Sequence, residues 1–181
     1  TLCQRVRQRS YPLKQVGGVL FAYLGPEDLP PPELPAFDAF RAPASHVFAF
    51  KGLWRCNWLQ AFEVGIDPSH ASYLHRFLQD ESTDHAYGRQ FRGASVGEVG
   101  GERWPMTRVL REFARPEIRH EALAEGLTRL TTLRPIDDAL THVRVTNAAF
   151  PYTFVIPLSE TITITQMHVP VDDVNTYWYS F

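Results

Sequence analysis

From Glu117 to the end of the chain, apolar and polar residues alternate in short runs: Glu117 to Ala122, Leu127 to Arg134, Thr141 to Asn147, Tyr152 to Ile156, Thr161 to Val169 and Asn175 to Phe181. A period of two puts successive side chains on opposite faces of a strand, and turn residues at Glu125-Gly126, Pro135-Ile136-Asp137-Asp138, Pro157 and Asp172-Asp173 separate the runs. The pattern predicts an antiparallel meander. Asn57 to about Leu78 keeps a different period, with Trp58, Leu59, Phe62, Ile66, Tyr73, Leu74 and Phe77 recurring at three and four, which predicts helix. Pro68 interrupts it, so a break or kink is expected close to Asp67. Earlier in the chain, Val19 to Leu24 between Gly17-Gly18 and Gly25-Pro26 reads as a buried strand, and His46 to Trp54 as a second. Pro30, Pro31, Pro32 and Pro35 make a stiff extended connection. Asp80 to Trp104, rich in glycine, serine and charge, reads as a mobile surface loop. There is no internal repeat. The fold class is therefore α+β: a large antiparallel sheet with a kinked helix packed on it.

Composition narrows the possibilities. The chain has 181 residues, 44% hydrophobic and 21% charged, which suits one domain and excludes a disordered tail protein. Its longest stretch without charge, Val145 to Ser159, is broken by Pro151 and Pro157 and falls short of the roughly 18 apolar residues of a membrane span. A net charge of −2 gives no global reason to expect nucleic acid or an anionic membrane as partner. Arg5, Arg7 and Arg9, spaced by two, would share one face of a solvated or subunit-facing strand edge. Cys3 and Cys56 cannot build a disulfide framework, which fits a reducing, cytoplasmic setting. The chain begins at Thr1 without a basic-then-apolar leader, and the expectation is a segment of a longer protein.

One cluster carries candidate chemistry: Asp67-Pro68-Ser69-His70-Ala71-Ser72-Tyr73-Leu74-His75. Two neutral imidazoles are favoured ligands of a non-haem iron site of the two-histidine, one-carboxylate type. At about 100° per residue, however, two side chains five apart stand about 140° apart on a regular helix. Convergence on one ion would need a helix end or a local widening, which the break at Pro68 or a π-type turn would supply. On spacing alone the alternative stands beside it, that His70 and His75 are ordinary residues at a helix–sheet boundary. Asp67 also has a second reading, as the N-cap of a helix whose first position is Pro68. The remaining histidines, His46, His85, His120, His142 and His168, read as structural or solvated. Asp172-Asp173 reads first as turn chemistry and only second as a carboxylate ligand. No phosphate loop and no GxSxG elbow is present.

Asn57-Trp58, Glu63, Asp67, His70 and His75 together resemble the N-W…E…D-x-x-H-x-x-x-x-H segment of the catalytic domain of Rieske non-haem iron oxygenases. Tyr11-Pro12, Gly17-Gly18 and Phe21 to Pro26 resemble the strand with which that domain begins. Val169-Pro170-Val171-Asp172-Asp173 with Thr176 is similar to a strand pair of the phthalate-dioxygenase-like branch. The resemblance implies a helix-grip (TBP-like) catalytic domain, here incomplete over residues 1–181, from a subunit that hydroxylates or O-demethylates an aromatic substrate with O2. It implies mononuclear Fe(II) held by His70 and His75. Asp67 would be a carboxylate bridging an iron-ligating histidine to a Rieske-cluster histidine of a neighbouring subunit. The implied partners are a ferredoxin or flavin reductase, within a homotrimer.

Two departures accompany it. The CxH…CxxH ligands of a two-iron, two-sulfur Rieske cluster are not in this sequence, so no Rieske domain is read within it. The third iron ligand of the family is an aspartate well downstream of the meander, expected beyond Phe181, with Asp172 or Asp173 as the weaker alternatives. No residue is assigned to the substrate. A competing function is a metal-free helix-grip module that encloses a hydrophobic ligand, for which the 13% aromatic content would suffice.

Overall fold

The structure, a computed structural model, describes residues 5–6, 8–75, 95–159 and 162–181. Cys3, Arg7, His85 and residues 80–94 of the glycine-rich stretch lie outside the described residues. The chain divides into two compact units, residues 1–49 and 50–181.

In the first unit, β1 (Leu13–Val16) and β2 (Val19–Ala22) form an antiparallel hairpin. Its two-residue turn, Gly17-Gly18, has φ of 57° and 84°, the left-handed pair that lets a tight turn match the twist of its strands. The expected buried strand is thus corrected. With one partner strand and an open face, β2 leaves Leu20 64% exposed. The prolines that follow form neither helix nor strand, as their fixed φ and missing donors require. A short helix α1 (Asp38–Arg41) brings Phe40 edge-on to Phe21 and Phe37. A 3₁₀ turn, Ala44–His46, occupies the expected start of the second strand. No strand forms over the described part of the Arg5–Arg9 stretch, and Arg9 instead pairs with Glu27 at 3.1 Å on the surface.

The second unit begins with β3 (Phe50–Trp54), followed by α2 (Trp58–Ile66) and α3 (His70–Leu74). The hairpin β4 (Ser95–Val99) and β5 (Glu102–Pro105) then leads into α4 (Met106–Glu112). The rest is strand: β6 (Glu117–Ala122), β7 (Leu127–Pro135), β8 (Thr141–Ala149), β9 (Thr153–Pro157), β10 (Thr163–Pro170) and β11 (Thr176–Ser180). These are the six strands expected from the alternation, each with ends within two residues of its run. With β3 they form a seven-stranded antiparallel sheet in the order β3-β11-β10-β9-β8-β7-β6. The hairpin at 95–105 corrects the loop expected there: its glycines serve the turn, with Gly100 and Gly101 at φ of 60° and 83°. Helix α4 has no counterpart in the sequence reading. It buries Val109 and Leu110.

Register decides which strand residues face the helices. Pairing Ala148 with Phe154, and continuing by twos along β7 and β8, places Leu130, Thr132, Arg134, His142, Arg144 and Phe154 on one face. Helix α2 packs there, with Phe62 against Phe154 at a ring separation of 5.7 Å and Trp58, Ile66, Leu130 and Ile156 around them. Gly65 permits this approach, because a Cβ on it would sit 2.2 Å from Phe154 Cζ. The expected break is present: α2 ends with the Asp67 N–H donating to the Glu63 carbonyl, and Asp67 is extended at φ −69° and ψ 111°. That conformation is what a following proline imposes. This sheet with its helix packed across it is the α+β helix-grip architecture. Among the described residues no helix is long and apolar enough to cross a membrane.

Candidate metal centre

A five-residue helix has too few internal hydrogen bonds to hold itself, so the segment bearing the two histidines depends on its anchors. Asp67 supplies the first. Its carboxylate accepts from the N–H of Ser69 at 2.7 Å and of His70 at 3.1 Å, so it caps α3 in spite of being exposed. Asn57 does the same for α2, accepting from the Leu59 N–H at 2.9 Å. Asn57 Nδ2 also donates to the Asp173 carbonyl at 3.2 Å, and Thr176 Oγ1 donates to the Cys56 carbonyl at 2.9 Å. The start of α2 is thereby stitched to the β10–β11 turn.

The structure brings His70 and His75 together. Their ring centroids lie 5.2 Å apart with planes at 75°. The five-residue spacing is reconciled by their places on the helix: His70 is its first residue, and His75 is the cap beyond its end, turned out of the helix at φ −103° and ψ 11°. His70 Nδ1 is hydrogen-bonded to the Asp67 carbonyl. A carbonyl only accepts, so Nδ1 carries the proton, and in the neutral ring the lone pair is on Nε2. Metal–imidazole bonds of about 2.1 Å put the centroids of two adjacent ligands roughly 5 Å apart, which is the spacing of this pair. Two imidazoles would supply two of the three ligands that a facial site requires.

Among the described residues no third donor joins them. Among the described residues no group of three or more His, Cys, Asp or Glu is arranged to hold a metal ion. Asp172 is spent on its turn, accepting from the Val174 N–H at 2.8 Å and from Asn175 Nδ2, and the Asn175 hydrogen bond holds its carboxyl below the usual range. Asp173 takes part through its backbone.

Beneath the histidine segment the sheet is unusually basic, a feature the sequence reading missed. Arg134 and His142 are cross-strand partners, as are Thr132 and Arg144. Arg134 is 1% exposed. Its Nε donates to the Phe113 carbonyl at 3.1 Å, and its Nη2 donates to the Pro68 carbonyl at 3.0 Å and to Ser72 Oγ at 3.2 Å. Arg134 Nη1, Arg144 Nε, His142 Nδ1 and Thr132 Oγ1 are buried without a partner among the described residues. Burial, with Arg134 and Arg144 nearby, pushes the His142 imidazole down to about 4. Burial and then Arg134 lower Arg144 to about 10. Further along the same face, His168 is wedged edge-on between Trp54 and Phe154, and burial pushes it down to about 4. The only sign of these basic residues in the sequence was charge on alternating strand positions, which ordinarily marks the solvated face.

The family described as LigXa C-terminal domain-like matches residues 22–181. The chain belongs to this family. It is 32% identical over 98% of its length to the phthalate 4,5-dioxygenase oxygenase subunit of Pseudomonas putida, covering 38% of that protein. It is 27% identical over 97% of its length to the 3-chlorobenzoate-3,4-dioxygenase oxygenase subunit of Comamonas testosteroni, covering 37% of it. Over 39% of the chain it is 39% identical to the 5,5'-dehydrodivanillate O-demethylase oxygenase subunit of a Sphingobium species, covering 16% of it. The LigXa-like chain thus spans less than two fifths of the curated relatives it matches. These relatives are oxygenase subunits, and they bear out the resemblance to the catalytic domain of Rieske oxygenases and to its phthalate-dioxygenase-like branch.

Proposed function

We propose that the chain is part of the catalytic domain of a terminal oxygenase component that hydroxylates or O-demethylates an aromatic substrate, with His70 and His75 as two protein ligands of a mononuclear ferrous ion. The observation that carries this reading is the convergence of the two imidazoles at 5.2 Å, with His70 Nδ1 engaged by the Asp67 carbonyl and its Nε2 left as the donor. When bound, ferrous iron supplies the one-electron chemistry with O2 that oxygen insertion requires. The chain's own residues fix the ligands: the Asp67 carbonyl sets the His70 tautomer and ring orientation, and the Asp67 carboxylate fixes the backbone on which the ring is mounted. That exposed carboxylate is proposed also as the bridge to a Rieske-cluster histidine of a neighbouring subunit, with electrons arriving from a ferredoxin or flavin reductase. The third ligand, a carboxylate, is taken to come from outside the described residues. The setting is proposed as cytoplasmic and the assembly as a homotrimer. The experiment is anaerobic Fe(II) titration of the 181-residue chain beside the same gene at its natural ends. One iron per chain is expected in the latter and much weaker binding in the former. Equally tight binding by both would put the missing carboxylate within this chain, and no iron in either would sink the reading.

Two of the relatives are named for aromatic carboxylates, phthalate and 3-chlorobenzoate. The same ligand chemistry suits this chain, because the buried Arg144 Nε and His142 Nδ1 on the helix-covered face lack partners among the described residues. A charge-assisted hydrogen bond is worth about 1.5–3 kcal/mol, so Arg144→Met is expected to weaken phthalate or 3-chlorobenzoate binding roughly 10- to 100-fold. Unchanged affinity for both would remove Arg144 from the ligand site.

A further inference from the structure

Both histidines sit on a segment whose backbone is under-bonded at its start. The Ser72 N–H donates to the Ser69 carbonyl at 3.0 Å, a 3₁₀ pattern, and not to the Pro68 carbonyl one residue further back. The Pro68 carbonyl, next to the Asp67 cap, therefore needs another donor. It receives one from across the fold, Arg134 Nη2 on β7, which also holds the hydroxyl of Ser72. Ser72 is fully buried and lies between His70 and His75, so Arg134 grips the segment at two points around His70. Through Nε the same guanidinium grips the Phe113 carbonyl at the end of α4, so the histidine segment, α4 and the sheet meet on one side chain. Burying a guanidinium is costly, and among the described residues no carboxylate repays that cost: Arg134 spends these three hydrogen bonds on uncharged oxygens. Desolvation accordingly lowers its pKa. Lysine, with a single point charge, cannot span acceptors that lie on two separate segments.

We propose that Arg134 is a positioning residue for the metal centre: by holding the Pro68 carbonyl and the Ser72 hydroxyl it sets the relation between the His70 and His75 imidazoles, and with it metal affinity and geometry. This rests on the reading of His70 and His75 as ligands. It goes beyond that reading by giving the sheet, through one side chain, control over the ligand pair.

The test uses the whole polypeptide that carries this chain, with Co(II) as a spectroscopic probe. Arg134→Lys is expected to weaken Co(II) binding about tenfold or more and to change the position or intensity of the d–d bands, as the loss of an outer anchor does. Ser72→Ala, which removes one of the two grips without removing the charge, is expected to weaken it about threefold to fivefold with little change in the thermal midpoint. Thr132→Ala is the control for general loosening, since Thr132 is equally buried on the same strand and has no hydrogen bond to the segment. It should lower stability and leave Co(II) affinity and spectrum as they were. If Arg134→Lys does not fold, Ser72→Ala decides alone. Folded variants with wild-type affinity and bands, or an equal loss in Thr132→Ala, overturn the inference. His70→Ala separates the two levels: if it too binds Co(II) as the wild type does, the metal centre itself is wrong, whereas its loss of binding beside unaffected Arg134 and Ser72 variants overturns the positioning role alone.

Discussion

His70→Ala and His75→Ala in the whole polypeptide are each expected to lower Fe(II) affinity by more than about 100-fold, because the loss of a ligand exceeds the 10- to 100-fold cost of losing an outer partner. Product formation should fall to background in both. The two variants are not equivalent in the structure. His70 opens α3 and has its ring tethered to Asp67, so its loss removes a ligand of fixed tautomer, whereas His75 lies beyond the last helical residue and is exposed. His70→Ala keeps the Asp67 cap, since the backbone N–H of residue 70 still donates to the carboxylate. Its thermal midpoint should therefore stay close to wild type. Metal analysis after anaerobic reconstitution, with product assay alongside, gives the answer. If His70→Ala retains full iron and turnover, the metal assignment fails. If it retains binding of an aromatic ligand and no iron was ever present, the helix-grip ligand-binding module takes its place.

Acid is expected to destabilise the protein steeply between pH 6.5 and about 4. His142 and His168 are ordinary imidazoles in the unfolded chain, near 6.5, and are both pushed down to about 4 when folded. Above pH 6.5 neither state binds a proton there, and stability is flat with respect to these groups. Below 6.5 the unfolded chain takes up protons that the folded one refuses, so unfolding free energy falls as pH falls, by about 1.4 kcal/mol per pH unit for each histidine. The fall ends near pH 4, where the folded protein also protonates them. Together they amount to several kcal/mol, a large share of the roughly 5–15 kcal/mol of a typical domain. His168 can be isolated from the rest, being 1% exposed and flanked by aromatic rings against which phenylalanine would also pack. His168→Phe should remove about half the slope in urea unfolding measured across this range. An unaltered slope would mean that His168 is not the buried neutral group its surroundings make it.

The residues that alternate are those whose structure was legible. In β6 to β11 hydrophobic alternation and turn chemistry agree, and nothing outside each strand is needed to place it. Pro68 likewise marks its own break. At residues 95–105 the sequence points the other way, since glycine and charge are poor strand formers and the hairpin depends on two left-handed turn glycines. The approach of His70 and His75 is legible only as a possibility, because it is settled by the backbone angles at His75, which no spacing encodes. Arg134 is the least legible. An arginine in an alternating strand reads as solvated, and only the register with β8 and the position of Pro68 turn it inward.

The order of the sheet also has a consequence for synthesis. Among the described residues β3, the strand that leads into the histidine helices, pairs only with β11, the last strand of the sheet, in the register Thr176 with Trp54 through Ser180 with Phe50. The strand that launches α2 is thus made early and waits for about 120 residues of translation, as does the Cys56 carbonyl that Thr176 secures. Closing so long a loop is slow, and until it closes the apolar edge of β3 is open to the wrong partner. A nascent chain stalled before β11 would have its meander assembled and the His70–His75 segment unanchored at the Asn57 end, so the last few codons of the sheet, and not the histidine codons, decide when the two histidines gain their support.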